Sequence, residues 1–504
     1  MLSIPLSVFL CGCVSLYFLS GYIRNRELNR KLDAIPTIGT RGLWPFASIL
    51  HAYRFLVNAR EMFQEGYDKY RGGIFKIHTL TKWKVVVTSQ KQIEDIRKAP
   101  DDVLDPREAN VEALEMDYTM GRPLHDDPYE LPVIRGVLTR NISSQLTEVR
   151  DEVLVAFEEL LPPKDDWVTI SLNPTMQIIL SRVNNRFFVG LPVCRNQEFI
   201  DTTIKFAVEI PLYGQFIALF PDFCKPIIGN IFTGLHRSVK RARKHLLPII
   251  QERVQKEEEY GTTEWPGKPN DFLSWLLDAA SGAGDRRKVD NLVMRVLGVN
   301  FGIHTTGGTL SNVLNYLTLY PEYIPDLRAE IEAVIEEHGW TKVALGRMKK
   351  LDSFIKEVQR INPSFSFSVE RKVLKDFTLF DGTVIPAGVT LGVPVLAVQH
   401  DESVFPNAKV FNGFRFAEMR EREDESTKHQ MVTSTPDFFL FGNGHHACPG
   451  RFFAVTELKL ILSHILLNYD IKGETEGGAK MKWFAFVGFQ DNNAKFSFRK
   501  RRRA

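Results

Sequence analysis

The stretch FGNGHHACPGRFFA, residues 441–454, sets one cysteine between glycines, with Pro449 behind it, at the head of an apolar run. Loop glycines and a proline ahead of AVTELKLILSHIL read as a tight loop entering a helix, with Pro449 in its first turn. Cys448 then sits near the positive end of that helix, where a thiolate is favoured over a thiol. The sulfur is prepared to be an anion, and the rest of the sequence has to say for what.

Composition narrows the field. The chain has 504 residues, 44% hydrophobic and 25% charged, which is ordinary globular material with enough apolar residues for a large core. A net charge of +3 is too near balance to argue for a nucleic-acid partner. The cysteines are Cys11, Cys13, Cys194, Cys224 and Cys448, an odd and scattered set with no C-x-x-C pair and no disulfide framework. A reducing compartment suits the bulk of the chain.

The N-terminus qualifies that. Residues 2–23, LSIPLSVFLCGCVSLYFLSGYI, carry no charge. As a helix they would span ~33 Å, against a hydrocarbon core of ~30 Å. Arg24, Arg26, Arg30 and Lys31 come directly after, and no Lys or Arg precedes the run. A cleaved signal peptide wants its charge in front. Charge behind the run predicts an uncleaved single-pass anchor with the body of the protein cytosolic.

The implied organisation is an anchor over 1–23, a basic, Pro/Gly-containing linker over 24–46, and one large domain over 47–504. GIFKIHTL and KWKVVVTS (73–80, 82–89) predict a hairpin. From about 110 to 360 the pattern is mostly helical, broken at 161–167, 190–196, 259–271 and 281–285. Short strands are expected near 369–397 and around WFAFVGF (483–489). The charged run 421–430 reads as a solvated loop. The fold class is mainly α with small β-sheets.

The loop pattern F-x-x-G-x-x-x-C-x-G, carried by Phe441, Gly444, Cys448 and Gly450, resembles the haem-binding loop of the cytochromes P450, the haem-thiolate monooxygenases. Two further motifs strengthen the resemblance. LDSFIKEVQR (351–360) supplies the family's E-x-x-R as Glu357 and Arg360, on one side of a helix at i, i+3. FNGFRF (411–416) is similar to F-x-P-x-R-F, with Arg415 as third member of a Glu–Arg–Arg cluster and Gly413 in place of the proline. Buried charges need partners, so this cluster reads as structural rather than catalytic.

The resemblance implies the P450 fold and haem b (iron protoporphyrin IX) with Cys448 as axial ligand. A thiolate pushes electron density onto the iron and favours O–O cleavage. Haem propionates need cations, and three residues match. Arg135 stands where the family's W-x-x-x-R helix has its arginine, with Leu131 in place of tryptophan. Arg371 opens the strand after the E-x-x-R helix, and His446 lies two before the cysteine. NFGIHTTGGTL (300–310) aligns with A/G-G-x-D/E-T-T. Thr305 is then the threonine that manages dioxygen, and His304 stands at the acid position, either to move protons or to hold the helix distortion. Gly307 and Gly308 suggest local bending or room for a ligand.

The segment 206–232, rich in Phe, Ile and Pro, corresponds to the family's membrane-dipping lid, with a core helix as the alternative. INPSFSFSV (361–369) and WFAFVGF would line the open side of the haem. By analogy with membrane-bound fungal members, especially basidiomycete ones, the substrate is a lipophilic terpenoid, triterpenoid or steroid in secondary or xenobiotic metabolism. Electrons would come from NADPH through cytochrome P450 reductase, with cytochrome b5 as a further partner, because the chain has no flavin-binding fingerprint. The implied location is the endoplasmic reticulum membrane, with the lipid bilayer as a partner. The rival readings are a haem-thiolate isomerase, dehydratase or peroxygenase without a reductase, and a non-enzymatic haem- or lipid-binding protein.

Overall fold

The helix Lys349–Ile361 buries Leu351, Phe354, Ile355 and Val358, the i, i+3, i+4, i+7 stripe that its sequence spells out. The helix Gly302–Leu319 is different. Small or apolar residues occupy nearly every side of it, and 13 of its 18 residues are buried, so it has to run through the middle of the molecule. It packs there against helices Leu172–Phe188, Lys349–Ile361 and Arg451–Asn468. The computed structural model from which this is read describes residues 26–39, 45–79, 82–220, 222–282 and 284–502. The apolar run 2–23, expected as an anchor, lies outside them. Among the described residues no helix is long and apolar enough to cross a membrane.

Two small sheets flank the helices. In the larger, Thr37–Ile38, Ile74–His78, Trp83–Val87, Thr390–Val393, Ser368–Val373 and Leu104–Asp105 lie side by side in that order. The expected hairpin is present, antiparallel, with Ile74 opposite Val87 and His78 opposite Trp83. In the smaller, Tyr469–Gly473, Lys495–Lys500 and Val168–Ser171 pair. The last of these falls inside the stretch read as mostly helical. Four residues are too few to show a period, and their partner, Lys495–Lys500, is at the far end of the chain. WFAFVGF forms a second hairpin from Lys482–Phe484 and Val487–Phe489.

The segment 206–232 divides in two. Phe206, Ile210 and Ile217 are buried in helix Gln197–Ile217, so that half is core. The helix Lys225–Phe232 is inverted, burying Lys225 and Gly229 and turning Ile227, Ile231 and Phe232 outward. The break in the central helix falls at the start of the aligned motif 300–305. It lies at Asn300–Phe301, between helices Val289–Val299 and Gly302–Leu319, and the chain runs unbroken through Gly307 and Gly308. Buried Asn300 fixes the break by donating from its amide to Asn185 Oδ1 at 3.0 Å and to the Val296 carbonyl at 2.8 Å.

Glu357 and Arg360 are both fully buried. Arg360 meets the Glu357 carboxylate through Nε and Nη2, each at 2.8 Å, and Arg415 Nε donates to it at 3.1 and 3.2 Å. Gly413 has its own reason here. A Cβ at that position would stand 2.7 Å from a ring carbon of Phe354 and 2.9 Å from one of Tyr323. The backbone is bare because aromatic rings lie on it. Restoring the family residue with Gly413→Pro should therefore destabilise the protein by about 1–3 kcal/mol, the usual cost of overpacking. A thermal melt checks this, and a raised midpoint would show that the rings move aside freely.

Candidate functional site

The cysteine loop is closed by its own backbone. The Cys448 N–H donates to the Phe441 carbonyl at 2.6 Å, and Gly442 N–H to the Phe439 carbonyl at 2.8 Å. Gly442 and Gly444 have φ of +77° and +64°, where a side chain is strained. The helix then starts at Arg451 with Gly450 as its cap. Burial pushes the Cys448 thiol up from its ordinary value. The Gly450 N–H, the Arg451 guanidinium, the Arg451 N–H and the Arg135 guanidinium pull the other way. A metal cation at the sulfur would complete the deprotonation.

Cys448 is deeply set, with protein around it on most sides, and yet its surface is open. Both hold if the sulfur faces an internal hollow. A Cβ added at Gly450, or at Gly302 on the central helix, would meet no atom within 4 Å. Around the central bend, Phe301, Gly302 and Thr305 are half-buried while Ile303, His304 and Thr306 are buried, so one face of that helix is the open one. Among the described residues no three His, Cys, Asp or Glu side chains gather to hold a metal. A metal at Cys448 would take its remaining ligands from a non-protein group.

The three candidate propionate cations lie in suitable surroundings. Arg371 is buried, and the one hydrogen bond of its guanidinium among the described residues is to the Glu370 carbonyl at 2.9 Å. Burial lowers it to about 10, with Asp101 and Asp105 acting in the opposite direction. A buried guanidinium without a hydrogen-bonded carboxylate wants an anion. His446 Nε2 meets Asp101 at 2.7 Å, and Asp101 also acts on Arg371. Arg135 is exposed and close enough to Cys448 to act on it. These residues fit a haem held through Cys448.

Thr305 donates its hydroxyl to the Gly302 carbonyl at 3.2 Å, across the first turn after the bend. Its neighbour His304 is turned into the protein, its ring 5.1 Å from that of Phe489 and 6.5 Å from that of Phe301. Its Nε2 has no partner among the described residues. Burial holds this imidazole at about 4, so it is neutral at physiological pH and makes a poor proton donor. The two expected lining segments do come together. Gly488 N–H donates to the Ser364 carbonyl at 2.8 Å, and Ser364 and Gln490 lie against Gly308.

Charges missed in the sequence wall a cavity of about 50 Å³ away from Cys448, between helix Pro45–Lys69, helix Pro106–Leu114, the end of helix Gln197–Ile217 and the larger sheet. Glu112 lies between Lys82 and Lys372 at 2.8 and 2.6 Å, and Lys84 meets Glu370 at 2.5 Å. Burial pushes Glu112 up, but the two lysines outweigh it and hold it at about 2. In PREANVEAL Glu112 looks like part of an ordinary solvated face. Its partners lie just before strand Trp83–Val87 and on strand Ser368–Val373.

Buried His304 also generates a pH dependence. Between 6.5 and about 4 the unfolded chain binds a proton that the folded chain refuses, so stability falls as pH drops through that window. His304→Phe should remove about 1.4 kcal/mol per pH unit of that fall. Denaturant midpoints on either side of the window check it, and an unchanged fall would put the ring in water.

A family model described as Cytochrome P450 matches residues 38–498. Cytochrome P450 monooxygenase 151 of Postia placenta is 42% identical over 473 residues, 93% of this chain and 94% of that protein. Cytochrome P450 monooxygenase CYP512U6 of Ganoderma lucidum is 34% identical over 447 residues, 88% of this chain and 86% of that one. Cytochrome P450 monooxygenase paxQ of Penicillium paxilli is 31% identical over 497 residues, 95% and 94% of the two chains. With the cysteine loop, the bent central helix and a family match over nearly its whole length, the chain belongs to the cytochrome P450 family of haem-thiolate monooxygenases.

Proposed function

We propose that this protein inserts one atom of dioxygen into an unactivated C–H bond of a bulky lipophilic molecule, a terpenoid, triterpenoid or steroid. Electrons come from NADPH through a separate P450 reductase, with cytochrome b5 as a second donor, on the cytosolic face of the endoplasmic reticulum membrane. One observation carries the reading: a deep-set but open cysteine, in a loop closed by its own backbone, within a chain whose central helix has an open face at Thr305. Haem b, when bound, supplies the activation of dioxygen, one oxygen atom going to substrate and the other to water.

The residues divide the remaining work. Cys448 would hold the group, and Arg371, Arg135 and His446 would hold its propionates. The Thr305 hydroxyl can donate to one neighbour and accept from another, so it can pass a proton from water into the hollow. The neutral, buried His304 packs the bend against Phe489. Ser364, Gln490 and the partly buried Phe365 and Phe489 offer a mostly apolar surface with few polar points, suited to a large substrate with little charge.

Entry from the bilayer is supported by what surrounds the charged cavity. Helix Pro45–Lys69 on one side exposes Leu50, Tyr53 and Val57, and the inverted helix Lys225–Phe232, next in the chain after the other side, exposes Ile227 and Ile231. The ion pairs in the cavity wall tie helix Pro106–Leu114 to the sheet across the route.

The reading is tested with reductase-supplied microsomes and a terpenoid and steroid panel, scored by mass spectrometry for gain of one oxygen. Product formed without NADPH or reductase would sink it. Thr305→Ala should keep haem and substrate binding but lose product per NADPH by up to roughly 10²–10⁴-fold, the range of general acid–base help. His304→Phe should leave that ratio nearly unchanged. Parallel losses in both variants would return the histidine to the proton path.

A further inference from the structure

Helix Lys349–Ile361 faces two ways. One side carries Glu357 and Arg360 to their charge cluster, and another carries Gln359 to the central helix Gly302–Leu319. There the Gln359 amide nitrogen donates to the Thr309 hydroxyl at 3.1 Å, and that hydroxyl donates to the Thr305 carbonyl at 2.9 Å. Both side chains are inside the protein, Gln359 at 6% exposure and Thr309 at 5%. One turn further along each helix, the Asn312 amide donates to the Asn362 carbonyl at 3.3 Å and the Asn362 amide to Asn312 Oδ1 at 3.4 Å. The helices are thus joined by two polar rungs, spaced i, i+3 on each.

The second rung is reciprocal. The first is not. Gln359 Oε1 has no partner among the described residues. A buried amide left half-satisfied is costly, and a leucine in its place would avoid that cost. Packing alone does not call for a glutamine here, since the asparagine rung also holds the two helices together.

The glutamine does fix a hydroxyl. A threonine hydroxyl inside a helix can turn to the carbonyl four residues back or take another rotamer. Gln359 fills the acceptor side of Thr309 Oγ1 with an N–H, which leaves the hydroxyl proton to point at the Thr305 carbonyl. A donor at one end of such a chain strengthens the bond at the other. Thr305 and Thr309 lie one turn apart on one helix face. The carbonyl of Thr305 is therefore held from behind, on the residue whose hydroxyl has to reach into the hollow.

We propose that Gln359 is a positioning residue for the oxygenation reaction: through Thr309 it fixes the Thr305 carbonyl, and so the direction from which the Thr305 hydroxyl passes on a proton. The proposal rests on the proton role proposed above for Thr305 and adds the support behind it. Neither Gln359 nor Thr309 has to touch the reacting atoms.

The test sets Gln359→Leu, Thr309→Val and Thr309→Ser beside wild type and Thr305→Ala, as full-length holoproteins with reductase, NADPH and the terpenoid and steroid panel. Product per NADPH should fall about three- to tenfold in Gln359→Leu and Thr309→Val, the worth of one hydrogen bond. It should stay near wild type in Thr309→Ser, which keeps the hydroxyl. Gln359→Leu/Thr309→Val should be no worse than Thr309→Val alone, because both changes break one chain. The melting midpoint of Gln359→Leu should stay within about 2 °C of wild type. Where no panel member is oxidised, peroxide released per NADPH is compared instead, and the same variants should raise it. A loss of coupling that only tracks a lowered midpoint makes Gln359 a packing residue and overturns the proposal. Wild-type coupling in Gln359→Leu and Thr309→Val, with Thr305→Ala uncoupled, also overturns it and leaves the role of Thr305 standing. Full coupling in Thr305→Ala removes that role and the proposal with it.

Discussion

The Glu357 carboxylate, buried between two guanidiniums, is the interaction on which the rest of the structure depends. Arg360 also donates to the carbonyls of Gln399 and Ala408, each at 2.6 Å. Arg415 reaches those of Pro406, Asn407 and Val410. One carboxylate thus organises the irregular chain between residues 399 and 415, which has little regular structure of its own. That chain leads to the cysteine loop and sets its approach to the central helix. A single buried charge lost from such a cluster costs about 3–5 kcal/mol, because the remaining charges stay buried without a partner.

The loop itself solves a conflict. Its sulfur has to be kept from bulk water and still be open on one side. Depth alone raises the thiol, and the nearby N–H groups and guanidiniums only partly offset that. The protein holds the sulfur in place, and a metal cation, when bound, would complete the ionisation. Gly302 and Gly450 keep the open side clear where a methyl group would project into it. The spacing of three along helix Gly302–Leu319 puts Thr305 on the same open helix face as Gly302.

The motifs around Cys448 and Glu357 were readable in sequence because they are local. F-x-x-G-x-x-x-C-x-G sets the loop by glycine torsions, and E-x-x-R sets two charges on one helix face. What was not legible depends on distant partners. Val168–Ser171 becomes a strand only because Lys495–Lys500 is there to pair with it. The cluster of Lys82, Glu112 and Lys372 draws on three separate stretches of the chain. Gly413 looked like a lost proline until Phe354 and Tyr323 were seen to lie against it. The outward apolar face of Lys225–Phe232 reads in sequence like any buried run, and only the Lys225–Glu115 pair decides which side is inward. For His304 the sequence left proton transfer and a packing role both open, and its burial against Phe489 supports packing.

Loop, bend and buried charge cluster converge on thiolate ligation by Cys448. The most direct measurement is the absorption spectrum of the reduced, carbon monoxide-treated protein, wild type beside Cys448→Ser. The account predicts a red-shifted Soret band in the wild type and its loss in the variant. The same band persisting in Cys448→Ser would contradict it.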